Sequence, residues 1–373
     1  MPVRALARVN LAAIERNCIR LRRELRDGAD FGAVVKADGY GHGAVAAARA
    51  ALAGGATWLC VATAGEARDL RAAGIGARIL VMGAVSAEEL DVALAADADL
   101  VAWRTAFVDL LRDRHRPARV HVKLDSGMGR LGTRDPAEAD RVADAVAEAR
   151  QLELAGAMTH LATADELDDD GYFDAQLARF APWAQALKET HPEVVVHAAN
   201  SAGTLRDRAA HFDLVRCGIA VYGLDPLQED PRERELEPAL SLHSYVADLK
   251  HCEPGDSAGY GRRFVASEAT ELAILPIGYG DGVRRGLSNN ADVIIAGARH
   301  PLVGTVSMDN VSVDVGPAPR ITAGDPATLI GSEGSQRITA EELARRLDTI
   351  NYEVTCGLTA RVPRQYHRDG EVE

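Results

Sequence analysis

The chain has 373 residues, 47% of them hydrophobic and 26% charged, with a formal net charge of −13 and a pI near 5.4. That length and apolar content allow a large buried core and favour two domains over one. Charges of both signs are interspersed on an acidic chain, which argues against a nucleic-acid or anionic-membrane partner and makes small-molecule chemistry the expectation.

Along the chain, Asn10 is placed to cap a helix in which Leu11, Ile14, Cys18, Leu21 and Leu25 recur at helical spacing, with Arg16, Arg20, Arg22 and Arg23 on its solvated face. The run AVVKADGYGHG (33–43) then ends an apolar strand with Lys36 and passes at once into glycines. Burial disfavours a charged amine, so a lysine here could condense with an aldehyde or take up a proton near neutral pH; a lysine snorkelling from a sheet rim is the plainer alternative. Apolar runs near 31–37, 57–63, 77–83, 98–102, 119–125, 152–159, 194–199 and 213–217 are mostly separated by helical segments rich in Ala, Glu and Arg. Eight β/α units are the count of a (β/α)₈ TIM-type barrel. A doubly wound sheet shares the alternation. However, Gly39, Gly41 and Gly43 lack dinucleotide-binding spacing, and no acidic residue stands alone at the end of the second run.

After Pro231 the texture changes to short β-type runs with Gly/Pro turns (ALSLHSYVAD, ELAILPIG, DVIIAG, PLVGTVSMD, VSVDVG, PATLIG) and one clear helix near 339–347. The expectation is therefore a barrel domain at 1–234 followed by a mainly β domain at 235–373. Cys18, Cys60, Cys217, Cys252 and Cys356 are scattered and form no C-x-x-C pair, which suggests neither disulfides nor zinc and fits a reducing compartment. With no stretch of membrane-spanning length and no apolar leader, a soluble cytoplasmic protein is expected.

In such a barrel the chemistry gathers at the C-terminal ends of the strands. Lys36 ends the first strand, Asp125 and Arg130 follow the fifth, His160 ends the sixth, Asn200 and Ser201 follow the seventh, and Arg216 with Gly218 closes the eighth. The loops AANSAG (198–203) and RCGIAVYG (216–223) suit a phosphate, although Asn-Ser is also a common helix cap. A lysine facing a phosphate cradle points to pyridoxal 5'-phosphate.

These segments, with KLDSGMGRLG (123–132), THLATADE (159–166), AGYG (258–261), IGYGDG (277–282), SMDN (307–310) and INYEV (350–354), closely resemble the bacterial alanine racemases of the pyridoxal-phosphate fold-type III class over nearly the whole chain. The resemblance implies interconversion of L- and D-alanine by two bases, supplying D-alanine for peptidoglycan. Lys36 would hold the cofactor and act on the D-isomer, and Tyr260 of the partner subunit would act on the L-isomer from the opposite face. A phenol with an ordinary pKa near ~10 needs a stabilised phenolate to serve as a base at neutral pH. The residues matching that role are His160 and Arg216, the latter also donating to the pyridine nitrogen. Tyr40, Ser201, Gly218, Ile219 and Tyr352 would hold the phosphate, with Asn200 supporting the loop. Arg130 would touch the ring hydroxyl and the substrate carboxylate, which the Met308 backbone would also bind. Lys123 matches a lysine often carbamylated in the family.

Tyr279, Asp165, Arg285 and Ile350 match the narrow mouth of the family's site. The chain departs from the pattern at Thr305 (commonly arginine), Gly259 (often serine) and Gly39 (alanine), none of which removes a catalytic group. A homodimer with shared sites is implied. The competing expectations are a racemase of another small amino acid such as serine, a non-catalytic pyridoxal-phosphate carrier, and a related decarboxylase of a basic amino acid.

Overall fold

In the computed structural model, which describes residues 3–168 and 170–372, the strand β1 (Leu6–Asn10) runs directly into the helix Leu11–Arg22. The Asn10 side chain accepts from Ala12 N at 3.2 Å, so this residue both ends a strand and caps a helix. Contacts divide the chain into two units, Ile14–Val221 and Met1–Ala13 with Tyr222–Glu373. The single cut expected at 234/235 thus differs at both ends: the first residues belong with the C-terminal unit, and the hand-over falls at Val221.

The first unit is built on β2 (Asp30–Val34), β3 (Trp58–Val61), β4 (Arg78–Val81), β5 (Asp99–Ala102), β6 (Ala118–Lys123), β7 (Leu152–Met158), β8 (Val195–His197) and β9 (Leu214–Cys217). They lie in the order β8-β7-β6-β5-β4-β3-β2-β9, every neighbouring pair parallel. Asp213 N→Val196 O and Arg216 N→Ala199 O, both 2.9 Å, bring the last strand against the chain leaving β8 and complete the ring. All eight expected runs are strands. Their continuous apolar character follows from burial on both faces, inside against the barrel core and outside against helices such as Pro136–Ala147 and Tyr172–Thr190.

Beyond β2 the backbone does something that the residue types signal only in part. Ala37, Asp38, Gly39, Tyr40 and Gly41 all have positive φ, from 52° to 84°, forming a left-handed turn immediately after Lys36. Each non-glycine residue there costs about 1–2 kcal/mol, so the surroundings must hold the turn in place. Glu66 does much of this. Its Oε1 accepts from Ala37 N at 2.7 Å, while its Oε2 accepts from Ala62 N at 2.7 Å and from Thr63 N at 3.1 Å, completing a capping box at the start of the helix Ala64–Ala72. The Asp38 carboxylate accepts from Ala44 N at 2.9 Å.

The second unit is a mainly antiparallel sheet. Val311–Gly316, Ala298–Val303, Ala291–Ile295, Pro326–Glu333 and Leu240–Tyr245 pair in that order; β1 lies antiparallel to Leu240–Tyr245 and parallel to Arg364–Arg368. The helix expected near 339–347 is Ala340–Arg346. A second helix in this region, Asn351–Cys356, was not expected and takes in most of the segment INYEV, whose residues alternate as in a strand. The buried Asn351 amide there donates to Asp225 O (2.8 Å) and to Glu341 Oε1 (2.9 Å).

Replacing Glu66 by Ala leaves three backbone N–H groups without their acceptor and is expected to cost about 1–3 kcal/mol of stability. Hydrogen exchange should quicken first at Ala37 and its neighbours. Unchanged protection at Ala37 in the variant would show that the left-handed turn does not depend on this carboxylate.

Candidate active site

The site is assembled from strand ends of the barrel unit. Lys36 is partly buried where β2 gives way to the left-handed turn. Tyr40, at the far end of that turn, is 7% exposed, and its hydroxyl lies so close to Gly218 that any Cβ there would overlap it. Glycine is therefore the residue that lets the β9 loop and the tyrosine share this space. From the loop after β8, Ser201 Oγ accepts from Gly218 N (2.8 Å) and Ala220 N (3.3 Å). A hydroxyl with both acceptor positions used has its own proton left to donate to an acceptor such as a phosphate oxygen. Asn200 serves as the cap of the helix Ser201–Arg206, its Oδ1 accepting from Gly203 N at 2.8 Å, which fixes the loop. Ile219 is fully buried.

Arg216 is only 2% exposed. Its guanidinium donates to Thr159 O (2.9 Å), Ala198 O (3.0 Å), His197 Nδ1 (2.7 Å) and, at 3.4 Å, His160 Nδ1. Desolvation pushes it down to about 10. His160 is held well below the ordinary histidine range by desolvation and by Arg216, Arg130, Lys123 and Lys36. An imidazole in that environment is neutral at physiological pH. Lys123 is 4% exposed and pushed down to about 8, first by burial and then by Arg216 and Arg130. Arg130 itself is exposed.

Lys36, Lys123, Arg130, Arg216 and His160 thus converge electrostatically at one end of the barrel. Asp125, a carboxylate that acts on Lys123, is committed to other donors: it accepts from Gly127 N (3.1 Å), Gly129 N (3.0 Å) and Arg134 Nε (3.2 Å). Burial would raise this carboxyl, but those donors hold it low. Positive charge in excess, an outward hydroxyl proton and a lysine at a strand end form a donor set that fits an anionic aldehyde such as pyridoxal phosphate. Among the described residues no cluster of His, Cys, Asp and Glu could hold a metal ion.

Most of the remaining predicted residues lie in the second unit. Tyr260 is 75% exposed, Met308 50%, Ile350 48% and Tyr279 42%, while Tyr352 is partly buried. Asp165, in the barrel unit, and Arg285 are both exposed. Thr305 is buried, and its hydroxyl donates to Tyr260 O at 2.7 Å. Gly259 faces Thr305 closely, a Cβ there falling 3.1 Å from Thr305 N. Two of the three departures from the family pattern therefore touch each other and the backbone of Tyr260.

Sequence reasoning passed over three buried groups that lead to Arg216. His197, His121 and Asp99 are fully buried and linked in series behind it. Each is an ionisable residue inside an apolar strand run, in VHVK, VVVHAAN and ADADL, and that mismatch was the available signal.

Comparison with known proteins agrees with this geometry. The sequence profile of the alanine racemase N-terminal domain matches residues 9–226, and that of the alanine racemase C-terminal domain matches residues 239–366. The chain is similar to the alanine racemase of Thermobifida fusca, 44% identical over 97% of this chain and 98% of that one, and to that of Symbiobacterium thermophilum, 42% identical over 96% of each. Among solved structures it resembles the Bacillus anthracis alanine racemase with bound L-Ala-P (TM-score 0.90, 38% identity, covering 99% of this chain and 96% of that one). The Streptomyces coelicolor alanine racemase is similar at TM-score 0.90 and 36% identity, with 97% of each chain covered. With both domain profiles in order and relatives this similar over nearly their full length, the chain belongs to the alanine racemase family.

Proposed function

We propose that this chain is a pyridoxal-phosphate-dependent alanine racemase that interconverts L- and D-alanine with Lys36 and Tyr260 as its two bases, supplying D-alanine for peptidoglycan. The observation that carries the reading is the cationic, carboxylate-poor cluster of Lys36, Arg216, His160, Lys123 and Arg130 at one barrel rim, in a chain of this family. When bound, the cofactor supplies an aldehyde for an amine and an electron sink that acidifies the substrate's α-proton.

The residues then divide the remaining work. Lys36 holds the cofactor and exchanges a proton with one face of the substrate α-carbon. Tyr260 of the partner subunit serves the other face, since inversion requires delivery opposite to removal. Ser201 donates its hydroxyl proton to the phosphate, joined by Tyr40, Tyr352 and the backbone at Gly218 and Ile219. Asn200 holds that loop. Arg216 can only donate, so it would hydrogen-bond the cofactor's ring nitrogen in its unprotonated form, which would limit side reactions. His160, kept neutral, is available to hydrogen-bond the Tyr260 phenol. Arg130 and the Met308 backbone take the substrate carboxylate. Lys123, pushed toward its neutral amine, is reactive toward carbon dioxide, and a carbamate there would turn one of the crowded cations into an anion beside Arg130.

A homodimer accounts for the exposure of Tyr260, Tyr279 and Met308, large side chains in one unit that a second copy would cover. The five free cysteines suit a reducing compartment, and we place the enzyme in the cytoplasm.

The primary test is loss of optical activity on incubation with L-Ala, D-Ala and L-Ser. Alanine should racemise from both sides, and serine more slowly but measurably, because a pocket rejects one extra hydroxyl only weakly, by about 10²-fold. Lys36→Ala should abolish racemisation and the absorbance of the lysine-linked cofactor. Tyr260→Phe should retain the cofactor and slow both directions by about 10²–10⁴-fold. An unaffected rate would point to a carrier protein or a one-base enzyme.

Mixing the two inactive variants tests the shared site. If Lys36 and Tyr260 come from different subunits, hybrid dimers contain one intact site and activity reappears; if each subunit is self-sufficient, the mixture stays inactive. For Lys123, ¹³C-bicarbonate should give a carbamate resonance that Lys123→Met eliminates.

A further inference from the structure

Arg216 is a buried cation with no carboxylate against it among the described residues, and the interior of the barrel shows how its position is fixed. Four residues from four strands are hydrogen-bonded in series. Arg216 Nη1 donates to His197 Nδ1 at 2.7 Å, His121 Nδ1 lies 2.8 Å from His197 Nε2, and His121 Nε2 lies 3.0 Å from Asp99 Oδ2. Asp99 is the first residue of β5, at the N-terminal end of the barrel, whereas Arg216 is in the second half of β9. The series therefore runs from the base of the barrel up to the catalytic rim.

The direction of every bond is determined by chemistry. A guanidinium only donates, so His197 Nδ1 must be the acceptor and its proton sits on Nε2. That proton is donated to His121 Nδ1, which places the His121 proton on Nε2, facing Asp99. At the base Asp99 must then accept, and Arg78 Nε (2.8 Å) and Arg119 Nε (2.6 Å) both donate to it. Burial alone would raise the Asp99 carboxyl, but these partners and His121 hold it down at about 2. A second proton on either imidazole would set two donors against each other.

The charged and titratable groups facing His121 are Asp99, Arg78, Arg216 and His197. Those facing His197 are Arg216, His121, Lys123 and Arg78. Desolvation, together with the cations among these groups, favours the neutral form of both imidazoles. An independent packing feature points the same way. Gly156 on β7 stands opposite His121 in register, and any Cβ there would overlap the His121 imidazole.

We propose that Asp99, acting through His121 and His197, is a positioning residue that fixes the orientation and proton arrangement of Arg216 and so the donor presented to the cofactor's ring nitrogen. This rests on the reading above that Arg216 faces that nitrogen. Asp99 touches neither substrate nor cofactor; its effect reaches the rim through two neutral imidazoles with a single sense of donation.

The test exploits the shape of an amide. A Gln at 121 can accept from His197 through its oxygen and donate to Asp99 through its nitrogen, whereas Leu fills the space and can do neither. The relay predicts that His121→Gln keeps kcat within about threefold, while His121→Leu lowers kcat about 10–100-fold, the range for loss of an outer-shell partner, with KM little changed. A role in packing alone predicts the reverse order, since Leu suits an apolar core better than Gln.

The second readout needs no turnover. In ¹⁵N-histidine NMR of the holoenzyme and of the cofactor-stripped protein, His121 and His197 should both be Nε2–H tautomers that do not titrate between about pH 6 and 9. The hydrogen-bonded His197 Nε2–H proton should persist in His121→Gln and shift upfield or disappear in His121→Leu. A Nδ1–H tautomer at either histidine in the wild type, or full kcat in His121→Leu, overturns the proposal. Arg216→Lys separates the two levels. Unchanged racemisation in that variant counts against Arg216 at the ring nitrogen, whereas the NMR result stands or falls on the relay alone.

Discussion

Burying a guanidinium with no carboxylate beside it among the described residues is the constraint around which the barrel unit is organised. Arg216 sits at 2% exposure, and the acceptors its Nη1 and Nη2 atoms meet are neutral: two carbonyls, at Thr159 and Ala198, and two imidazoles. Those acceptors come from the ends of β7 and β8, so the strand register and the polar geometry are one requirement. A shift of one residue in β8 would turn His197 out of the barrel and strand the guanidinium. The same unneutralised cation helps depress Lys123 and His160, spreading its influence across the rim. Excess positive charge of this kind attracts an anionic ligand.

The fold was largely legible because parallel strands buried on both faces read as unbroken apolar runs, and eight such runs at βα spacing leave few architectures. What escaped is non-local or ambiguous. β1 is a five-residue strand whose partners, Leu240–Tyr245 and Arg364–Arg368, are more than two hundred residues away, and nothing in LARVN announces them. INYEV has the alternation of a strand, yet Asn351 is needed to satisfy Asp225 O and Glu341, and the helix places it there.

At the site, Lys36, Ser201, Arg216 and His160 stood out because polar residues at strand ends are conspicuous. Asp99, His121 and His197 did not, since a single histidine within an apolar strand reads as a satisfied core residue until its partners are known. Thr305 was legible as a departure from the family pattern but not as a contact: it is buried, and its hydroxyl donates to the Tyr260 carbonyl.

The left-handed turn after Lys36 has a stereochemical consequence of its own. Ala37, at φ 52° and ψ 51°, occupies a region that an L-residue enters at a cost and its mirror image enters freely. At that backbone position, directly after the lysine, D-alanine would be the relaxed residue and L-alanine is the strained one. A chain made only of L-residues holds this inverted geometry by placing Glu66 against the Ala37 amide and by using glycine at two of the five positions. Handedness in this protein is thus imposed on its own backbone one residue beyond the group proposed to act on the handedness of its substrate.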